Sequence, residues 1–320
     1  MMMVVYCHLQ VDGLVGYNFM NSFLGAAREA LFMFISGFLS YSVMKAPMGK
    51  VKNRFWNLFL PTIATGGIFI FFMNHMSVIG ALRHATKSGY WFTWVLFEIF
   101  VLFAVFTWLT DKVSSSLRQW VYILIMLICP VLLWLVNHQW PTFPVETDWY
   151  QITSMGMVLG MMPFFLLGVL AKMHKDRFMQ LMVSPLATSI FTVGFLLSCY
   201  YRDYLGYMGG LYVLGIFGGL FYFAFFYQFR SVFSINTRVG RWMTYICMRS
   251  IHIYFLHYFV LFGIQQGGLL PLLRTHTDAL IGIPVYILVT LLITIVCLGI
   301  EVVLRRMAPA IHRLMFGGER

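Results

Sequence analysis

Few residues inside the apolar segments of this sequence could carry acid–base chemistry. His8 follows the apolar run "MMMVVYC" at the start of the chain. The others inside or beside such segments are Arg28, Glu29, Glu98, Arg249, His252, His257 and Glu301. Lipid makes an ionisable side chain costly to bury, so each is a candidate functional residue. The histidines are the most informative, because an imidazole exchanges protons near neutral pH.

The segment "RSIHIYFLH" carries a polar stripe on an apolar helix. Ser250, Tyr254 and His257 follow one another at spacings of four and three, which places them on one helical face. His257 falls in the outer half of its predicted span, at a depth comparable to that of His8. We therefore expect the two histidines to share one cavity. The alternative is that each only bonds a neighbouring helix.

Two carboxylates occupy different predicted environments. Glu98 lies eight residues past Tyr90, about 12 Å into the membrane at 1.5 Å per residue, so it must be protonated, paired or hydrated. It is predicted either to pair with Arg249 or a buried hydroxyl, or to belong to the site. Glu301 lies one turn before Arg305 near the end of the last span, where an intramolecular ion pair is inexpensive.

Two further segments indicate binding roles. Ser36 and Gly37 fall in the middle of a span, where small residues permit close helix approach. Four hydrogen-bonding side chains follow at the mouth of the next span, namely Lys50, Lys52, Arg54 and Asn57. One explanation for them is the general excess of basic residues on the cytosolic side of membrane proteins. The other explanation is phosphate binding, which Arg and Lys both suit.

The elements that position these residues are membrane helices. Of the 320 residues, 60% are apolar and 10% are charged, which excludes an ordinary soluble domain. A span needs about 20 apolar residues, and the chain divides into about ten. After a shortened N-terminal helix, the predicted spans are Glu29–Met44, Trp56–Met73, Tyr90–Leu109, Trp120–Val136, Thr153–Ala171, Leu186–Tyr200, Tyr207–Tyr227, Met243–Gly263 and Gly282–Leu304. Continuous apolar runs exclude a β-barrel, so the predicted fold is an all-α polytopic bundle, one domain over residues 1–320.

The distribution of Lys and Arg predicts the orientation of this bundle. Most of them fall in every second loop between the predicted spans. We assign these loops, together with both termini, to the cytosol. The net charge of +11 then lies beside anionic headgroups and requires no nucleic acid. The same topology places Met1 at mid-membrane, so we expect a first span that is truncated at its N-terminal half. The segment lacks the features of a secretory signal.

The order of these motifs resembles the acyltransferase-3 family of bacterial integral membrane O-acyltransferases. It runs from His8 through "LFMFISGFLS", "KNRFWNLFLP", "YWFTWVLFEIF" and "SIHIYFLH" to Glu301. The segments "MMPFFLLGVLAK" and "LRRMAPAIHRLMFGG" are similar to the branch that succinylates glucans. His8 matches the family's essential first-span histidine and Arg54 its third-span basic motif. Ser36, Gly37, Phe38 and Leu39 match its small-residue motif, and Glu301 matches its last-span glutamate.

The resemblance implies a bacterial cytoplasmic (inner) membrane enzyme. It would pass an acetyl or succinyl group from cytosolic acyl-CoA, a co-substrate rather than a bound cofactor, to a hydroxyl of an extracytoplasmic carbohydrate. Two departures are evident. The Arg that the family carries about three turns before its histidine is absent from this chain, and Asn57 stands where a second Arg is typical. Contact with CoA is therefore expected to rely more on Lys50 and Lys52.

The predicted mechanism uses His8 as general base, with His257 as a second possibility and Glu301 as a further catalytic residue. Lys50, Lys52, Arg54 and Asn57 are predicted to bind acyl-CoA. The predicted pocket for the acyl group and acceptor consists of Arg28, Glu29, Ser36, Trp91, Glu98, Arg249, Ser250 and Tyr254. No metal site is predicted, because the histidines and cysteines lack ligand spacing.

A transporter is the competing interpretation. Spans with buried His, Glu and Arg also describe a proton-coupled carrier or flippase of a glycan or small anion. Against it, the sequence shows neither an inverted repeat nor paired broken helices. No covalent serine mechanism is indicated, since the chain has no G-x-S-x-G segment.

Overall fold

The computed structural model describes residues 1–11, 22–41, 47–74, 77–84, 86–138, 148–267 and 279–317. Within these ranges every regular element is a helix. The helices are α1 Met2–Val11, α2 Ser22–Ser40, α3 Pro47–Met73, α4 Val78–Leu82, α5 Trp91–Leu109, α6 Ser115–His138, α7 Asp148–Ile152, α8 Met155–Met173, α9 Lys175–Val183, α10 Pro185–Tyr200, α11 Arg202–Gln228, α12 Arg238–Met248, α13 Ser250–Gln266, α14 Ala279–Met307 and α15 Pro309–Phe316. A 3-10 turn, Lys87–Gly89, precedes α5.

Seven spans in the described part of the chain are long and apolar enough to cross a membrane, or up to nine if each of two bent helix pairs counts as one. The bent pairs are α9 with α10 and α12 with α13. Helix α1 has 10 residues and covers only about 15 Å, half of a bilayer core. The prediction of an all-α polytopic membrane bundle is confirmed. The predicted end of the first full span, Met44, lies outside the described residues.

The predicted span Met243–Gly263 contains a bend of 72° between α12 and α13, and the two helices together remain one candidate span. Arg249 lies at this bend. Its Nε atom is 3.4 Å from a carboxylate oxygen of Glu301, and its guanidinium lies 3.9 Å from the ring centroid of Tyr245. A charge is costly inside a span, and at the bend this charge lies beside its partners.

Helices α2 and α8 pack in direct backbone contact. A Cβ atom at Gly37 would overlap the main-chain carbonyl of Phe165, and one at Gly168 would overlap that of Phe34. Without side chains at these two positions, the helices approach more closely than larger residues would allow. This confirms the close approach expected at Gly37, and it fixes the depth of Ser36 beside it.

Helix α1 is held inside the bundle by apolar packing. Val5 and Leu9 are 0% and 1% exposed, and they share a core cluster with Ile253 of α13 and Cys297 of α14. Burying two such aliphatic side chains contributes roughly 3–6 kcal/mol before the entropy of ordering is counted. This packing sets the position of His8, which lies between the two anchors along the helix.

Candidate active site

A cavity of about 210 Å³ lies among α1, α2, α3, α5 and α13. It brings together eight of the predicted site residues: His8, Arg28, Glu29, Ser36, Arg54, Trp91, Ser250 and Tyr254. Its apolar wall includes Val4, Phe32, Leu58, Phe92, Leu96 and Ile251. Residues from five elements far apart in sequence thus converge on one space, as expected of a ligand site.

The cavity is elongated along the bundle. Arg28 and Ser36 both line it and are eight residues apart on α2, about 12 Å of helix. A smaller space of about 20 Å³ adjoins it, lined by Ser36, Arg54 and Phe100 among others. The cavity therefore reaches from the joint before α5, where Gly89 lies, to Arg54 in the first two turns of α3.

Tyr258 holds the His8 ring. Its hydroxyl oxygen lies 2.9 Å from His8 Nε2 and donates a hydrogen bond to the carbonyl of Gly89 at 3.0 Å. The two rings are 4.9 Å apart between centroids. Gly89 itself has φ of +100°, and a Cβ atom there would overlap the Tyr258 ring. A glycine is thus required at this position for both its backbone conformation and the space it leaves.

His257 lies next to His8 but does not line the cavity. Their ring centroids are 5.1 Å apart. His257 is 0% exposed, and its Nδ1 lies 2.6 Å from the carbonyl of Tyr254. A carbonyl only accepts, so this nitrogen carries the proton. Nε2 of His257 is then an acceptor, and it has no hydrogen-bond partner among the described residues. The two rings are neighbours, but the expectation that both histidines share one cavity is wrong, because only His8 lines it.

The polar stripe of α13 divides between the cavity and the bundle. Ser250 and Tyr254 line the cavity. The Tyr254 hydroxyl donates to the carbonyl of Gly89 at 2.9 Å, the same carbonyl that Tyr258 contacts. Tyr254 and Tyr258, one turn apart, therefore pin the joint before α5 against α13.

Arg28 and Glu29 form an ion pair at the cavity wall. The Arg28 Nη2 atom donates to Glu29 Oε1 at 2.9 Å, and Nη1 donates to the carbonyl of Gly25 at 3.0 Å. The pair is half-buried, with side chains 18% and 29% exposed. Each charge offsets the other, which lowers the cost of placing both beside a cavity at this depth.

Among the predicted CoA-binding residues, Arg54 alone lines the cavity. Its guanidinium lies 5.4 Å from the ring centroid of Phe100. Lys50 and Lys52 lie on the preceding turn of α3, and Lys52 is exposed. Asn57 lies against Gly317 beyond α15, away from the cavity. The structure therefore separates one cavity-lining arginine from two lysines at its approach.

Glu301 and Arg249 belong to a buried ion-pair cluster outside the cavity. Glu301 is 2% exposed, and its carboxylate oxygens lie 3.4 Å from Arg249 Nε, 3.6 Å from Arg305 Nε and 3.3 Å from His312 Nε2. The predicted pair with Arg305 is confirmed. Because Arg249 adjoins Ser250, the cluster supports the cavity without touching it.

Ligand atoms of His252, Glu301 and His312 lie within 4.8 Å of one another. Such a group is able to hold a metal ion, and its members were too far apart in sequence for the spacing argument to find. Two guanidinium groups already face the Glu301 carboxylate. Their positive charge disfavours a divalent cation, so the geometry fits an ion-pair cluster better than a metal centre.

Glu98 also lies outside the cavity. Its Oε1 accepts a hydrogen bond from the indole nitrogen of Trp94 at 3.0 Å, and Oε2 is buried with no partner among the described residues. The predicted pairing with Arg249 is wrong, because Arg249 pairs with Glu301. Lys87 lies 5.4 Å from the Trp94 ring centroid on the other side. Burial lowers the pKa of Lys87 to about 8, and Glu98 offsets part of that shift.

Sequence reasoning missed Tyr258 and Gly89. A signal for Tyr258 was present, because it follows Tyr254 at a spacing of four and so extends the polar stripe by one turn. Nothing local marked Gly89, since glycine is common in joints. Its importance depends on Tyr258 and Tyr254, which lie 169 and 165 positions away.

Comparison with known proteins identifies the family. The family model of the acyltransferase-3 domain, described as an acyltransferase domain, matches residues 1–302. No curated protein and no solved structure matches the chain significantly. The match covers nearly the whole sequence and includes all of the cavity-lining residues. The chain therefore belongs to the acyltransferase-3 family and is a multi-pass membrane acyltransferase.

Proposed function

We propose that this protein transfers a short acyl group from acyl-CoA to a hydroxyl of a carbohydrate or glycan. The observation that carries the proposal is the elongated cavity, which has His8 and Gly89 toward one end and Arg54 toward the other. A charged carrier and a neutral acceptor can then enter from different ends. Only the small acyl group has to pass between them.

Arg54 would hold the CoA end. A guanidinium forms short, charge-assisted hydrogen bonds to phosphate, and Arg54 is the basic residue of α3 that reaches the cavity. Lys50 and Lys52 would attract the anionic carrier toward this mouth, which we assign to the cytosolic side of a bacterial inner membrane. Electrostatic attraction of this kind acts on association more than on the bound complex.

His8 would act as general base. In the arrangement we propose, the Tyr258 hydroxyl donates to the Gly89 carbonyl and accepts a hydrogen bond from Nε2–H of His8. This assignment follows from the hydrogen-bond network, and it leaves the lone pair on Nδ1. That nitrogen would take the proton of the acceptor hydroxyl as its oxygen attacks the thioester carbonyl. Such transfer typically contributes about 10²- to 10⁴-fold.

The remaining steps balance the reaction. As the tetrahedral intermediate collapses, the carbon–sulfur bond breaks and the CoA sulfur receives the proton that His8 had taken. Ser36, Ser250 and Arg28 line the cavity and are candidate donors to the oxyanion, a contribution often larger than that of the base. Glu29 would keep the Arg28 guanidinium in place.

The test is acyl transfer by the purified protein in detergent. Labelled acetyl-CoA and succinyl-CoA would be supplied separately with a glucan oligosaccharide, and the acylated sugar would be measured. His8→Ala should lose at least about 100-fold in turnover. His174→Ala, which changes an exposed histidine, should retain activity. Normal turnover by His8→Ala would refute the assignment of the base.

The same assay separates an enzyme from a carrier. Transfer in detergent needs no sealed compartment, whereas a proton-coupled transporter works only across a membrane. Acyl-CoA that is neither hydrolysed nor transferred in detergent, with activity recovered only in sealed vesicles under a gradient, would refute the proposal.

A further inference from the structure

A second cavity lies outside the site, between α12 and α14, with a volume of about 780 Å³. One wall is formed by α12, which contributes Arg238, Arg241, Trp242 and Tyr245. These residues recur at spacings of three, one and three, so they form one face of the helix. Arg238, Arg241 and Trp242 are exposed. This wall therefore presents two positive charges together with two aromatic rings.

The opposite wall is apolar and belongs to α14. It consists of Ile295, Leu298, Gly299 and Val302, again one helical face by its spacing. Val302 and Ile295 lie five and twelve residues before Met307, where α14 ends, or about 8 and 18 Å along the axis. The wall thus occupies the half of the membrane that adjoins the basic joints.

Helix α12 has the composition of a helix at the membrane surface. It is bent by 72° relative to α13, and Trp242 is 65% exposed on it. Helices that lie in the plane of the membrane surface combine basic residues with exposed aromatic side chains in this way. The groove therefore has a charged rim on α12 and an apolar floor on α14.

We propose that this groove binds one anionic phospholipid. The guanidinium groups of Arg238 and Arg241 pair with the lipid phosphate, and an acyl chain lies along Ile295, Leu298 and Val302. Basic pockets beside transmembrane helices on the cytosolic side select anionic headgroups, and Arg suits phosphate by its forked geometry. An acyl chain suits the α14 wall better than soluble CoA does, because Ile295, Leu298 and Val302 offer no hydrogen-bonding side chain.

Native mass spectrometry of the purified full-length chain tests the proposal. The probes are dioleoyl phosphatidylglycerol and dioleoyl phosphatidylcholine, which share acyl chains and differ in headgroup charge. The wild-type protein should retain one phosphatidylglycerol in preference to phosphatidylcholine. The double variant Arg238→Gln/Arg241→Gln should weaken that binding about 30-fold, the effect of removing two surface cations.

Two control variants distinguish binding in the groove from a general effect of surface charge and from misfolding. Arg177→Gln/Arg230→Gln removes the same charge from exposed positions outside the groove and should leave phosphatidylglycerol binding unchanged. Gly299→Phe fills the groove, since a Cβ atom at Gly299 meets nothing within 4 Å, and should abolish binding while the chain stays folded.

Three results would overturn the proposal. The first is equal retention of the two lipids by the wild-type protein, which would mean unselective annular lipid. The second is an equal loss of binding in both double variants. The third is displacement of phosphatidylglycerol by added CoA, or occupation of the groove by a second copy of the chain, seen as a dimer that Gly299→Phe dissociates.

Discussion

The Nε2 atom of His8 and the hydroxyl oxygen of Tyr258 lie 2.9 Å apart, although 250 positions separate the two residues. The contact joins a ten-residue helix at the start of the chain to a spanning helix near its end. With Tyr258 donating to the Gly89 carbonyl, as we propose, Nε2 of His8 holds the proton and Nδ1 holds the lone pair. A base that is oriented by a second group in this way is a recurrent arrangement in enzymes.

Replacing Tyr258 by Phe should reduce kcat and leave the KM for acyl-CoA unchanged. Tyr258 does not line the cavity, so donor binding is not affected. The variant loses one hydrogen bond to a ring that becomes charged during the reaction, which costs about 1.5–3 kcal/mol, or about 10- to 150-fold in kcat. Steady-state kinetics with varied acyl-CoA measure both constants.

The control for this variant is Tyr90→Phe. Tyr90 is 1% exposed and donates to the carbonyl of Phe255 at 3.0 Å, so it loses a comparable buried hydrogen bond that does not involve His8. Both variants should be similarly destabilised. Equal kcat values for the two would show that Tyr258 has only a structural role.

Replacing Gly89 by Ala should impair both stability and turnover. The backbone φ of +100° disfavours any side chain, and the new Cβ atom would overlap the Tyr258 ring. We expect a loss of more than about 1 kcal/mol in the free energy of unfolding, together with a fall in kcat as Tyr258 moves. Gly67→Ala, at a helical position with nothing within 4 Å, should cost neither. Thermal unfolding in detergent and the transfer assay check both outcomes.

Replacing Arg54 by Gln should raise the KM for acyl-CoA more than replacing Lys52 by Gln. Both side chains are exposed, but Arg54 lines the cavity and Lys52 does not. Loss of one hydrogen bond to a charged group costs about 1.5–3 kcal/mol, or about 10- to 150-fold in KM. An exposed lysine contributes at most about 1 kcal/mol. If the lysines at the cavity mouth bound the CoA phosphates instead, Lys52→Gln would raise the KM for acyl-CoA more than Arg54→Gln.

Replacing Glu301 by Gln should destabilise the protein strongly, whereas Arg305→Gln should not. Glu301 and Arg249 have side chains that are 3% and 20% exposed, against 41% for Arg305. Breaking a buried pair leaves an uncompensated charge and costs about 3–5 kcal/mol; removing an exposed partner costs about 0–1 kcal/mol. Thermal unfolding in detergent measures the stability of both variants. A catalytic role of Glu301 would instead appear as lost turnover at unchanged stability.

The contribution of Lys87 to stability should depend on pH. Burial lowers the pKa of its amine from 10.5 to about 8, so between pH 8 and 10.5 the unfolded chain holds a proton that the folded chain has released. The unfolded state binds more protons in that window, and the free energy of unfolding therefore rises with pH. Below pH 8 the burial is a constant cost.

Thermal unfolding of the wild type and of Lys87→Met at pH 7, 8, 9 and 10 measures this dependence. The wild type should gain stability relative to the variant as the pH rises from 8 to 10. A difference that stays flat across this range, or that shrinks, would show that Lys87 titrates near its ordinary pKa.

Much of the site was predictable because lipid penalises buried polar groups. His8, Arg28 and Tyr254 could be selected as exceptions in apolar segments, whereas Ser36 and Arg54 were selected from the family resemblance, and all five line the cavity. The same penalty did not predict which groups face the cavity and which face each other. Glu98 and Arg249 satisfy it by local partners, an indole and a carboxylate, and so they lie outside the site.

The bend at Arg249 shows what hydropathy leaves open. Averaged over a window, the residues from Met243 to Gly263 are apolar enough for one span. The structure divides them into α12 and α13 at an angle of 72°, and Arg249 at the bend pairs with Glu301. Mean composition does not encode such an angle.

The sequence by itself determined that the chain is a membrane protein, that it is helical, which family it belongs to, and which few side chains are able to do chemistry. These follow from composition, periodicity and the order of motifs, all of which are local properties of the chain. Only the tertiary structure decided that Tyr258 orients His8, that Gly89 makes room for it, and that Arg54 rather than the lysines reaches the cavity. Such contacts join residues that are far apart in sequence. They depend on how the helices pack against each other, which no local sequence pattern encodes.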